Sequence, residues 1–130
     1  MIIDSSAVLA IVLAEPEAER MAKAIAAAPR RRMSTVNWLE TLMVVEGRHG
    51  AASADDAQLV LREMEVEPYP FDREQMMEAQ AAWRRFGKGR HAAALNLGDC
   101  CAYAAALTSG DELLYKGEDF SRTDIRAADW

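Results

Sequence analysis

The sequence predicts an α/β fold: a short, mainly parallel sheet of four to five strands with helices packed around it. Three observations carry this. Short apolar runs alternate with longer segments in which apolar residues recur at helical spacing. Residues that cap helices follow several of those runs, among them Ser34, Asp72 and Asn96. The chain has 130 residues, 51% hydrophobic and 28% charged, which suits one core and one domain over residues 1–130. Strand–helix–strand units joined into a parallel sheet produce this alternation.

Met1-Ile2-Ile3 reads as a buried first strand ending at Asp4, and Ser5 and Ser6 open a helix over residues 5–13. Pro16 suits the start of an Ala-rich helix over residues 17–28. Arg30 to Arg32 form a basic cluster expected at a solvated edge, followed by Met33-Ser34 as a second strand. Ser34 or Thr35 caps a helix through residue 48, ended near Gly47 to Gly50. Another helix begins at residues 53–56 and carries Leu59, Leu61 and Met64. Residues 66–71 suggest a third strand, which Pro68 places at an edge. Asp72 caps a helix over residues 73–86, and a glycine-punctuated basic loop, residues 87–91, follows. Asn96 opens a helix to Leu107, Gly110 ends it, and residues 112–116 read as the fourth strand.

Composition excludes several classes. The net charge of −6, from 21 acids and 15 Lys+Arg, argues against a protein that coats nucleic acid, though not against a nuclease with acids in its site. Cys100 and Cys101 are adjacent and His49 and His91 are the only histidines, so neither a disulfide scaffold nor a zinc centre is expected. By prior, the two cysteines are small buried hydrophobes. No apolar stretch approaches the ~20 residues of a membrane span. The start lacks a basic n-region, so no signal peptide is expected, and a cytoplasmic, reducing compartment is.

The acids sit in unusual places. Asp4 falls at the carboxyl end of the first strand, the edge where open α/β sheets form ligand crevices. Taken alone, a helix N-cap is the simpler account of it. Glu40 has Val36, Asn37, Met43 and Val44 as its helical neighbours, a partly apolar stripe. An unpaired carboxylate there is costly and needs a cation, a basic partner or a cleft, unless the helix rolls it into solvent. Asp99 lies in the first turn of its helix, where the macrodipole favours it by roughly 0.3–1 kcal/mol and capping again explains it. Glu118 and Asp119 follow the fourth strand, where an ordinary acidic loop is the plain alternative. If these acids converge they repel, by about 4 kcal/mol for two charges roughly 4 Å apart at an effective dielectric of 20. Divalent cations relieve that repulsion, and an oxygen-only ligand set favours Mg²⁺ or Mn²⁺ over zinc.

Four segments carry a family resemblance. Met1-Ile2-Ile3-Asp4-Ser5-Ser6-Ala7 resembles the opening of PIN-domain ribonucleases. Ser34-Thr35-Val36-Asn37-Trp38-Leu39-Glu40 resembles their second motif. Leu95-Asn96-Leu97-Gly98-Asp99-Cys100-Cys101-Ala102-Tyr103-Ala104 resembles the third and is the most specific. The stretch from Leu113 to Ile125 resembles the ending of the VapC toxin branch. The motifs stand in family order over nearly the whole chain.

The resemblance implies a PIN-like fold and the toxin of a type II toxin–antitoxin pair. Such a toxin is a Mg²⁺-dependent endoribonuclease, with Mn²⁺ able to substitute, that hydrolyses RNA phosphodiester bonds with metal-activated water. It implies Asp4 and Asp99 as metal ligands, with Glu40 and Asp119 acting directly or through water. Glu118 and Asp124 are alternatives for the fourth acid, and Ser6 matches a hydroxyl that hydrogen-bonds in the site. It further implies homodimers, an RNA substrate (tRNA, rRNA or mRNA), and a cognate antitoxin that blocks the site. Contact with operator DNA would come only through that antitoxin.

Arg84, Arg85, Lys88, Arg90 and His91 form a basic segment that two glycines would make mobile. It suits RNA phosphates beside the acids, and equally a solvated loop. Trp38, Trp83, Phe86, Met76 and Met77 suit either a partner-facing surface or the core, and core is the commoner fate. Two rival readings remain weaker. A catalytically inactive interaction module on the same fold would have lost an acid, and all four are present. A phospho-accepting receiver domain wants an acidic pair after the first strand, where Ser5 and Ser6 follow Asp4 instead.

Overall fold

A computed structural model describes residues 1–130. Its strands are β1 (Ile2–Ile3), β2 (Arg32–Ser34), β3 (Glu67–Tyr69) and β4 (Leu113–Leu114). They form one sheet in the order β3-β2-β1-β4, with every pairing parallel. The helices are α1 (Ser5–Val12), α2 (Ala18–Ala27), α3 (Thr35–His49), α4 (Ala51–Glu63), α5 (Arg73–Phe86) and α6 (Leu97–Ser109). A 3-10 turn, Phe120–Arg122, follows β4. No helix is long and apolar enough to cross a membrane.

Successive strand residues face opposite sides of a sheet, and the two cores follow that rule. Ile2 and Leu113, paired across the sheet, pack with Phe86 and Tyr103 from α5 and α6. Ile3 and Leu114 pack on the other side with Val8, Met21 and Leu61 from α1, α2 and α4. Helix α6 is buried continuously from Cys100 to Ala106. Its run of alanines and cysteines lets it lie close against its neighbours.

Two expected strands are shorter than read. The third spans Glu67–Tyr69 within residues 66–71, and the fourth Leu113–Leu114 within residues 112–116. A ladder is no longer than its partner: β4 pairs with the two-residue β1 and β3 with the three-residue β2. A fifth strand is reduced to one bridge, Leu113 with Ala127. Helix ends follow their caps: Asp4, Ser34, Asp72 and Asn96 each accept a backbone N–H of the helix they start. Helix α4 begins earlier than expected because Gly50, at φ +88°, turns the chain straight out of α3 into it.

The basic cluster at residues 30–32 is not a solvated edge. The Arg31 guanidinium donates to the carbonyls of Ala26, Ala28 and Met64 and to Glu65. Arg32 donates to Asp111 at 2.7 Å and stacks 4.4 Å over the Tyr69 ring. Only Arg30 is fully exposed, because the other two tie the amino edge of the sheet together.

Candidate active site

The acids gather at the carboxyl edge of the sheet, where β1 ends and α1, α3 and α6 begin. Asp4 is only 4% exposed. The N–H and hydroxyl of Ser6 donate to its Oδ2 at 2.9 and 2.6 Å. Burial pushes the Asp4 carboxyl above its usual range and the Glu40 charge adds to this, against the pull of the Ser6 bonds. Ser6 Oγ also accepts the Lys116 N–H at 2.9 Å, which ties α1 to the exit of β4.

Glu40 does face inward, in a cleft and without a basic partner. Ser5 Oγ donates to its Oε2 at 2.7 Å, and Asn37 Nδ2 lies 3.5 Å from the same oxygen. The carboxylate rests against Gly98 of α6, where any Cβ would overlap it. Asp99 and Asn96 form a reciprocal cap: Asn96 N–H donates to Asp99 Oδ2 at 2.7 Å and Asp99 N–H to Asn96 Oδ1 at 2.9 Å. Burial, followed by repulsion from Asp4, Asp119 and Glu40, raises the Asp99 carboxyl to about 6. Asp119 is exposed and makes no capping hydrogen bond, and its charge reaches Asp99.

None of the four acids belongs to an ion pair. The donor set is all oxygen, and its members repel. No three carboxylate, imidazole or thiol groups close on a point by themselves. An all-oxygen donor set is chemically suited to hard divalent cations rather than to zinc.

The alternatives for the fourth acid have hydrogen-bond partners of their own. Glu118 accepts the Ser121 hydroxyl at 3.1 Å. Asp124 accepts Tyr103 Oη and Arg85, each at 2.6 Å, and those bonds hold its carboxyl below the usual range. Sequence reasoning also overlooked two members of the site, Ser5 and Asn37. The available signal was an amide three residues before Glu40, on the same helical face.

The basic segment is tied by main-chain hydrogen bonds. Lys88 N–H donates to Leu95 O, Leu95 N–H to Phe86 O, and the N–H groups of Arg90 and His91 to Gly87 O. Arg85 is spent on Asp124, and Arg90 stacks 4.0 Å over the Trp83 ring. His91 Nδ1 accepts the Ala93 N–H, with its ring edge-on to Phe86 at 5.3 Å. Arg84 and Lys88 carry no ion pair and are exposed. Phe86 is buried and Trp38 packs against the core, whereas Trp83, Met76 and Met77 remain exposed. Cys100 and Cys101 are buried thiols that burial pushes up to about 11, so neither is a nucleophile at neutral pH.

The whole chain is similar to known proteins. The PIN domain family matches residues 1–126. A Ribonuclease VapC of Mycolicibacterium smegmatis is 46% identical over 127 residues, 98% of each chain. Ribonuclease VapC30 of Mycobacterium tuberculosis is 46% identical over 125 residues, 96% of this chain and 95% of its own. The fold is shared with Mycobacterium tuberculosis VapC20, described as a toxin that cleaves the sarcin-ricin loop, at a TM-score of 0.77 and 16% identity over 95% of both chains. A toxin–antitoxin complex from Klebsiella pneumoniae contains a chain that matches at a TM-score of 0.72 and 16% identity, over 95% of this chain and 92% of that one. The chain therefore belongs to the PIN-domain family, in its VapC ribonuclease branch.

Proposed function

We propose that this chain is the toxin of a toxin–antitoxin pair and acts as a metal-dependent endoribonuclease. The observation that carries the reading is a set of acids without ion-pair partners gathered at one sheet edge, where burial first and the charges of Asp4, Asp119 and Glu40 second raise the Asp99 carboxyl to about 6. Asp4 and Asp99 would hold Mg²⁺ or Mn²⁺, and Glu40 and Asp119 would complete the site directly or through water. When bound, such an ion would lower the pKa of a coordinated water and place positive charge beside a phosphoryl oxygen.

The protein's own groups do the rest. Ser6 fixes Asp4 Oδ2, and the cap with Asn96 fixes Asp99 Oδ2. Ser5 and Gly98 hold the Glu40 carboxylate, leaving Oε1 to accept a proton from water. Arg84, Lys88 and Arg90 offer cationic contacts to RNA phosphates, and Arg85 and His91 act in support of that rim.

Two protein partners belong to this reading. A cognate antitoxin is supported by the toxin–antitoxin complex among the structural neighbours. A second copy of the chain is supported by an apolar surface beside the site, in which Leu39, Met43 and Leu97 are exposed.

The test is cleavage of a mixed small-RNA pool by the purified, antitoxin-free protein. The arms are Mg²⁺, Mn²⁺, EDTA, and Asp99→Asn with metal. Discrete fragments ending in 5′-phosphate and 3′-hydroxyl, lost in both controls, are expected. Cleavage at the same rate in EDTA, or by Asp99→Asn, would overturn the assignment.

A further inference from the structure

Resting on that reading, we propose that Asn37 is the positioning residue of the acidic site, a neutral amide that sets the spacing of Asp4 and Glu40 from beneath. Asn37 is 0% exposed, in the first turn of α3. Its Nδ2 lies 3.0 Å from Gly98 O, 3.2 Å from Ser5 Oγ, 3.3 Å from Asp4 Oδ1 and 3.5 Å from Glu40 Oε2. Those groups come from the end of β1, from α1, from α3 itself and from α6. One nitrogen thus meets every element that frames the site on its buried side.

The chemistry of the neighbours fixes the amide's orientation. Two carboxylate oxygens, a carbonyl and a hydroxyl surround Nδ2, so Oδ1 in that place would meet oxygen on every side. Two amide hydrogens serve four acceptors, so each acceptor is satisfied in part and none is captured. The opposite face of the amide, Oδ1, is buried and has no partner. The fold accepts that unsatisfied atom in order to keep Nδ2 where it is. An apolar side chain would leave both carboxylates without this donor. Lys or Arg would place a fixed positive charge where the acids must stay negative to hold a cation. A neutral donor orders the acids without discharging them. Thr41 Oγ1 donates to the main-chain carbonyl of Asn37 at 2.9 Å, a bond within the helix that does not involve the Asn37 amide group.

The experiment compares wild type with Asn37→Ala and Thr41→Ala, all metal-free at the start. Thr41 is equally buried on the same helix but touches no acid, so it reports a purely structural loss. Calorimetry measures Mn²⁺ affinity, thermal unfolding measures the fold, and RNA cleavage separates kcat from KM. For Asn37→Ala we expect Mn²⁺ affinity and kcat to fall by about 10- to 100-fold, as for other groups that orient metal ligands, with little change in KM. Thr41→Ala should lower the unfolding temperature and keep wild-type Mn²⁺ affinity. Asn37→Ser retains one donor, covers the case in which the alanine variant does not fold, and should fall between the two. Wild-type affinity and kcat in a folded Asn37→Ala or Asn37→Ser overturns the proposal alone, as does an equal loss in Thr41→Ala. A wild-type protein that neither binds Mn²⁺ nor cleaves RNA overturns the functional reading, and this one with it.

Discussion

Asp99 carries a cost in the metal-free chain, and the cost has a sign in pH. Its carboxyl is raised from 3.8 to about 6, so between those values the folded state holds a proton that the unfolded state has lost. Stability from this group is full below the unfolded value and is lost as pH rises through the folded one. Without metal, Asp99→Asn should therefore be the more stable protein at pH 7.5, by about 1–2 kcal/mol after allowance for solvent screening. The gap should close as pH falls toward 4. Urea unfolding of both proteins in EDTA across pH 4.5–7.5 checks this, because the difference cancels other titrating groups such as Asp111 and Asp124. Adding Mn²⁺ should reverse the order, stabilising wild type by about 2.7 kcal/mol at a hundredfold excess over Kd. Glu40 stood out in the sequence as an acid in a partly apolar stripe, whereas capping was the simpler local account of Asp4 and Asp99, which the family resemblance singled out. Ser5 and Asn37 did not stand out, since small polar residues near a helix start have ordinary uses there. Nor could the sequence choose among Glu118, Asp119 and Asp124. In the structure Glu118 accepts Ser121, and Asp124 accepts Tyr103 and Arg85, contacts set by residues that local sequence does not bring together.

Between elements, the close approach of α3 and α6 is what places Glu40 beside Asp99. Gly98 makes it possible, because a Cβ there would overlap the Glu40 carboxylate. Gly98→Ala should thus cost about 1–3 kcal/mol by overpacking and should lower kcat more than the stability loss alone explains. Thermal unfolding beside single-turnover cleavage separates the two effects. The end of α5 gives a second contrast. Arg84→Ala and Lys88→Ala should each reduce the salt dependence of RNA binding by about one counterion and leave the fold intact. Arg85→Ala should instead destabilise, since it leaves Asp124 with Tyr103 alone. Binding of an uncleaved RNA by Asp99→Asn, titrated with KCl, reads the slope. Helix boundaries were readable because caps are local chemistry: Asp72, Asn96 and Gly110 do their work within one turn. Strand lengths were not, because pairing with the short β1 and β2 is decided far away in sequence. The apolar runs around Leu113 and Val66 looked longer than the ladders they enter. Arg31 and Arg32 misled for the same reason, since their acceptors lie at residues 64, 65 and 111.

Over the whole molecule, five of the eight exposed large hydrophobic residues gather in two adjoining grooves. Leu39, Met43 and Leu97 line one groove, and Met76, Trp83 and Leu97 line the next, with Val36 and Leu97 shared between them. Leu97 is 76% exposed and Met43 65%, yet both stand a turn or less from an acid of the site. A contiguous apolar surface of this kind marks a protein interface, whereas isolated exposed hydrophobics need no explanation. A second copy seated there would border the acids and narrow the path of RNA to them. Met43→Lys tests this without disturbing the fold, because the side chain already faces solvent in the single chain and surface changes cost within about 0.5 kcal/mol. In sedimentation velocity over a concentration series, wild type should associate at micromolar concentration. Met43→Lys should raise the dissociation constant at least about tenfold, equivalent to ~1.4 kcal/mol. Its unfolding temperature, measured where both proteins are monomeric, should stay the same. A wild-type chain that sediments as a monomer throughout the series would remove the second copy from the functional reading and leave this surface to the antitoxin.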